Sequence, residues 1–168
     1  YHPMADGIAL EGMRLAFDYL PKAFADGADL EARAHMMSAA AMGATAFQKG
    51  LGAIHSLSHP IGALYDTHHG MTNAVFMPYV LAFNRPAIED RINAAAAYLG
   101  IEGGFDGFRE QIMRLRRMLD IPENLSAMGV KRADLDMLTE MALEDPSCGG
   151  NPIPMTRENT RALFEAAL

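Results

Sequence analysis

Apolar residues recur at three- and four-residue intervals along most of the chain, and that spacing predicts one helix after another. In the first stretch Ile8, Leu10, Met13, Leu15, Phe17 and Leu20 follow the pattern. Pro3 suits a first helical turn, and Pro21 is expected to break or kink the helix. Gly27 to Asp29 reads as a turn, with Asp29 placed as the N-cap of a helix over residues 30 to about 48. That helix contains the small-residue run 38–44, which would let a neighbour approach closely and predicts a central position. Alanine's own helix propensity is the plainer reason for the same run.

Gly50 and Gly52 introduce the next helix, in which Pro60 is expected to cause a kink. Gly70 precedes an apolar run over 71–83, with Pro78 as a further candidate kink. Arg85-Pro86 is expected to end that run, and residues 87–99 to form a separate helix closed by Gly100. Over 105–119 the pattern is amphipathic, with Phe108, Ile112, Leu115 and Leu119 on one side. Arg114, Arg116 and Arg117 read as its solvated side. Short helices around 131–143 and 157–167 flank a loop over 145–152. Alternation is absent and β-branched residues are scarce, so no strand is expected. The fold class is therefore all-α, a helical bundle forming a single domain over residues 1–168 with no repeat or linker.

Half of the 168 residues are hydrophobic, enough for a well-buried core. The net charge is -7, and basic residues are scattered apart from the three arginines above. A nucleic-acid partner is not expected. Uncharged runs such as 36–47 are too short and alanine-rich for a membrane span, and no signal peptide opens the chain. Cys148 is the only cysteine, so no internal disulfide forms and a reducing cytoplasm is the expected location.

Chemistry concentrates in residues 51–70, which hold four of the six histidines: His55, His59, His68 and His69. His55 and His59 are four apart, which stacks two imidazoles on one helix face. His69 lies fourteen residues past His55, a separation of roughly 21 Å in a straight helix. One ion can be shared only if the chain turns back, and Tyr65-Asp66-Thr67 with Gly70 is the candidate turn. Imidazole suits zinc and ferrous iron. A histidine in an apolar stretch is also often a hydrogen-bonded core residue, and that reading stays open beside the ligand one. Two histidines alone make an incomplete site, because catalytic centres normally use three protein ligands. Asp66, Asp6 and His35 are candidates to complete it. Gly50-Leu51-Gly52 begins like a dinucleotide fingerprint, yet position 55 is histidine and no strand precedes it. No serine nucleophile elbow occurs. Cys148 is either a reactive thiol or an incidental one.

The segment GLGAIHSLSHPIGALYDTHHGMTNAVFMPYVLAFN resembles the signature of the iron-containing (group III) alcohol dehydrogenases. YHPMADGIALEGMRL resembles the segment after that family's first metal ligands, and CGGNPIPMTRENTRALFEAAL its C-terminal helix. The resemblance covers essentially the whole chain. It implies the C-terminal helical domain of a two-domain subunit, whose N-terminal nucleotide-binding α/β domain is not among these residues. It implies that His55 and His69 hold the metal. His59 matches the histidine beside the nicotinamide and the reacting carbon, in a catalytic and cofactor-facing role. Phe47 and Cys148 fall near positions that line the substrate pocket. The family's other two ligands, an Asp and a His four apart on one helix, fall before Tyr1, as does the glycine-rich phosphate loop. His2 does not match either ligand. Metal-free relatives that reduce unsaturated oxo-acids replace the histidine ligands, so His55 and His69 favour the metal-dependent branch.

The implied whole is an NAD(P)-dependent dehydrogenase using Fe²⁺ or Zn²⁺ on a small alcohol or aldehyde. It is expected to be a homo-oligomer, and the chain alone is expected to be inactive. The competing expectation is a stand-alone, non-catalytic helical domain for metal binding, partner binding or oligomerisation. The length of the intact gene product separates the two.

Overall fold

The computed structural model describes residues 2–168. Among them are seven α-helices and no strand: α1 (Pro3–Ala25), α2 (Leu30–Ala46), α3 (Ala53–Tyr65), α4 (His69–Tyr98), α5 (Gly104–Met118), α6 (Leu135–Glu144) and α7 (Arg157–Ala167). The all-α expectation is met. Packing divides the chain into two compact units, one of residues up to 50 with 90–119, the other of 51–89 with 120–168.

In the first unit, the His2 ring caps α1 by accepting the Ala5 N–H at 3.1 Å, and Pro3 fills the first helical position. The helix does not break at Pro21. Proline forfeits one backbone bond and crowds the carbonyl four residues back, and α1 carries on until the Asp26 N–H closes on Lys22 O at 2.9 Å. Gly12 explains how closely α2 lies. A Cβ there would meet the Met42 Cβ at 3.2 Å and Ala39 O at 3.6 Å. The expected central position of α2 is not found. Only Ala32 and Ala39 are buried, and Met37 is 76% exposed. Small side chains allow close approach on one face but bring too little apolar area to demand burial on the others. On α5 the buried line is Phe105, Phe108, Ile112 and Arg116. Arg116 thus departs from the solvated arginine side: it is 6% exposed, because it stands one turn beyond Ile112. Arg114 and Arg117 do face solvent.

The two helices expected over 71–99 are one. α4 runs for 30 residues through Pro78 and Pro86. A helix-interior proline costs about 3 kcal/mol. Val75, Phe76 and Val80 are buried around Pro78, and each such side chain returns about 1.5–3 kcal/mol. Residues 69–89 of α4 belong to the second unit and 90–98 to the first.

The second unit has the larger apolar core. Leu57 and Ile61 of α3, Phe76 of α4, Leu135 and Leu138 of α6, and Phe164 of α7 are all fully buried within it. Phe76 and Phe164 meet edge to face, with centroids 5.6 Å apart. Thr156 and Asn159 form a reciprocal capping box that starts α7. The Leu125 N–H donates to Ala167 O at 2.8 Å, tying the incoming loop to the helix end. No helix among the described residues is long and apolar enough to cross a membrane.

Candidate functional site

The site is built in the second unit around α3, whose start is fixed by a loop far along the chain. Gly52, the N-cap, offers no side chain, so Asn151 Oδ1 accepts the Ala53 N–H at 3.1 Å instead. Asn151 also exchanges two amide hydrogen bonds with Asn84, at 2.9 and 2.8 Å, and donates to Ile153 O at 2.7 Å. The loop lies hard against the helix start: a Cβ on Gly150 would sit 1.9 Å from Leu51 O. Only glycine fits there. The short 3-10 turn Pro146–Gly150 is held beside α3 in this way.

At the other end, α3 stops where Asp66 adopts the left-handed conformation, φ 50° and ψ 41°. Aspartate is among the few non-glycine residues that visit this region readily. The Tyr65 hydroxyl donates to Asp134, and the Lys131 N–H donates to the Tyr65 oxygen at 3.1 Å, which anchors the turn. The turn is where it was expected, but Gly70 is not part of it. Gly70 is the second residue of α4. His68 caps that helix, its Nδ1 accepting the Met71 N–H at 3.3 Å.

The reversal brings three imidazoles together. Ring centroids lie 5.3 Å apart for His55 and His69, 5.3 Å for His59 and His69, and 5.8 Å for His55 and His59. The chain has therefore turned back as a shared site requires. Asn73, one turn beyond His69 on α4, is engaged with two of the rings. Its Nδ2 lies 3.0 Å from His69 Nε2 and 3.4 Å from His55 Nε2, and its Oδ1 lies 2.5 Å from Ser58 Oγ. The third ring has a different partner: His59 Nδ1 donates to Asp145 Oδ2 at 2.7 Å. The other Asp145 oxygen accepts the Ser147 N–H at 2.8 Å.

Burial, with the positive charges that His69 and His59 could carry, lowers the pKa of His55 against the pull of Asp145. Its imidazole is thereby kept neutral, the form that can bind a metal. At Asp145 burial opposes the charge, but hydrogen bonds from His59 and Ser147 outweigh it and hold the carboxyl below its ordinary value. Burial, reinforced by the Asp145 charge, pushes the Cys148 thiol up. That thiol stays protonated at neutral pH.

Two imidazole nitrogens within reach of one atom fit a divalent ion that accepts nitrogen donors. They supply part of a coordination sphere. Among the described residues, no group of three or more His, Cys, Asp or Glu side chains could hold a metal ion. The three residues considered as additional ligands have other roles. Asp6 is held by Lys49 at 2.5 Å and Arg91 at 2.7 Å, His35 stacks on Tyr19 at 3.9 Å, and Asp66 caps α3. Cys148 is half-buried in the turn beside Asp145. Phe47 belongs to the first unit, 55% exposed on the turn Phe47–Lys49. Asn73 and Asp145 escaped the sequence reading. The spacing of four between His69 and Asn73 was available as a signal. Nothing local links His59 to a carboxylate 86 residues away.

The whole described chain falls within one sequence family: the profile described as Fe-containing alcohol dehydrogenase family, C-terminal, matches residues 1–168. The chain belongs to this family. It is 36% identical over 174 residues to the NAD-dependent methanol dehydrogenase of Bacillus methanolicus, covering 99% of this chain and 46% of that protein. It is 37% identical over 177 residues to the 4-hydroxybutyrate dehydrogenase of Cupriavidus necator, covering 100% and 46%. Among solved structures, a 1,3-propanediol oxidoreductase superposes with a TM-score of 0.94 at 32% identity, covering 99% of this chain and 46% of that one. The chain thus spans about half the length of the relatives it matches. Its bundle is the C-terminal helical domain of the iron-containing alcohol dehydrogenases, as the histidine-bearing segment suggested.

Proposed function

We propose that this chain is the metal- and substrate-binding half of an NAD(P)-dependent, divalent-metal alcohol dehydrogenase. The observation that carries this reading is the convergence of His55, His59 and His69, two of them sharing Asn73 and the third paired with Asp145. His55 and His69 would hold Fe²⁺ or Zn²⁺. When bound, the ion supplies Lewis-acid polarisation of an alcohol or carbonyl oxygen, and the nicotinamide carries the hydride. NAD is the better-supported cofactor, since one relative is named as NAD-dependent.

The chain's own residues then have separable tasks. His55, kept neutral by burial, presents a nitrogen lone pair. His59 is oriented by Asp145, which occupies Nδ1 and leaves Nε2 free to take the proton of the substrate hydroxyl or return it. Cys148 lines the substrate side. With its thiol protonated, Cys148 acts there by packing and not as a nucleophile. The complementary nucleotide-binding half comes from the rest of the intact protein, a cytoplasmic homo-oligomer, and these residues alone are inactive.

The test uses the intact protein and two variants. His55→Ala is expected to lose both metal and activity. His59→Ala is expected to keep its metal, turn over about 10²–10⁴-fold more slowly and change its pH–rate profile. Loss of metal in His59→Ala would make that residue a ligand, and an unchanged profile would reduce it to packing.

A further inference from the structure

Asn73 faces the two proposed ligands from the side on which they converge. Its amide nitrogen carries two hydrogens, so it can serve both His69 Nε2 at 3.0 Å and His55 Nε2 at 3.4 Å. It can do so only if each ring presents a lone pair at Nε2 and therefore carries its hydrogen on Nδ1. Turned over, the amide would place Oδ1 against both rings. Each would then have to be protonated at Nε2, the form in which that nitrogen cannot bind a metal.

Ser58 favours the first of these two arrangements. It is 1% exposed, and its hydroxyl has one hydrogen to give. The candidate acceptors are Asn73 Oδ1 at 2.5 Å and the His55 carbonyl at 3.2 Å. The shorter contact goes to Asn73. With its hydrogen given to Asn73 Oδ1, Ser58 supports the amide with its nitrogen toward the histidines; the opposite turn would leave Ser58 only the longer contact to the His55 carbonyl for its hydrogen.

We propose that Ser58 and Asn73 form a positioning pair that holds the Nε2 lone pairs of His55 and His69 toward one point, ready for a divalent cation. The inference rests on the proposed metal role of the two histidines and adds how their tautomers are set. Metal-binding histidines are commonly oriented from behind, through the nitrogen that does not bind. Here the orientation comes from the front, and the amide would give way to a bound ion.

The test is the tautomeric state of each ring, read by long-range proton–nitrogen correlation in the metal-stripped intact protein with ¹⁵N-labelled histidine, at a pH where the rings are neutral. The wild type is expected to show hydrogen on Nδ1 at both His55 and His69. Asn73→Ala is expected to return both to a mixture of tautomers. Ser58→Ala, the smaller change, is expected to raise the Nε2–H share at both, with circular dichroism confirming that each variant is folded. Nε2–H at either ring in the wild type, or tautomers unmoved by Asn73→Ala, overturns the positioning role. Zn²⁺ added to the wild type is expected to shift both Nε2 signals. Signals left in place by Zn²⁺, with the tautomers as expected, would overturn the metal reading.

Discussion

The orientation of His59 rests on a single carboxylate, Asp145. Its side chain is 14% exposed, accepts from His59 Nδ1 and is itself held by the Ser147 N–H. Asp145→Asn keeps the shape and removes the charge, so it disturbs orientation and imidazolium stabilisation without emptying the space. In the intact protein kcat is expected to fall about 10–100-fold with metal content unchanged. An unchanged kcat would show that Asp145 merely caps its own turn.

His55 gives a pH dependence whose sign can be worked out. Burial lowers its pKa in the fold, so the unfolded chain binds the proton more readily and protonation favours unfolding. The stability held through His55 is complete above the unfolded value, about 6.5. It is lost progressively as pH falls from there through the lower folded value. Denaturant midpoints at pH 7.5 and 5.5 should therefore differ in the wild type, and less so in His55→Gln. An equal difference in both proteins would remove His55 from the explanation.

At the scale of elements, the sequence pattern located helices well and their interruptions poorly. Apolar spacing identified α1, α3, α5 and α7 because each buries one stripe. The helices continue through Pro21 and Pro86 because proline's penalty is local, whereas whether a helix continues depends on the packing around it. Arg116 is buried because its position in line with Phe108 and Ile112 outweighs its residue type. The elements that carry the site depend on a contact no periodicity reveals. The loop after α6 presses Gly150 against Leu51 O and sets Asn151 on the first turn of α3. Gly150→Ala has no room at 1.9 Å and must push the loop away. A loss of about 1–3 kcal/mol is expected from chemical denaturation, the range for forcing a group into a filled space. A wild-type denaturation midpoint would show the contact to be slack.

At the scale of the whole molecule, membership of the iron-containing alcohol dehydrogenase family and a bundle like its helical domain are established by the match over residues 1–168 and the superposition at a TM-score of 0.94. The histidine pair was legible because its spacing and the intervening turn are local. The contacts of Asn73 and Asp145 with the histidines are visible only in three dimensions. Half the length of the relatives lies outside the match, so the proposed activity is one to test in the intact protein. The decisive measurement is metal content per subunit together with NAD-linked alcohol oxidation, for the intact protein and for His69→Ala. The expected result is stoichiometric Fe²⁺ or Zn²⁺ with activity in the wild type, and loss of both in His69→Ala. A His69→Ala protein that keeps its metal and its oxidation rate would contradict the assignment of this cluster as the metal centre.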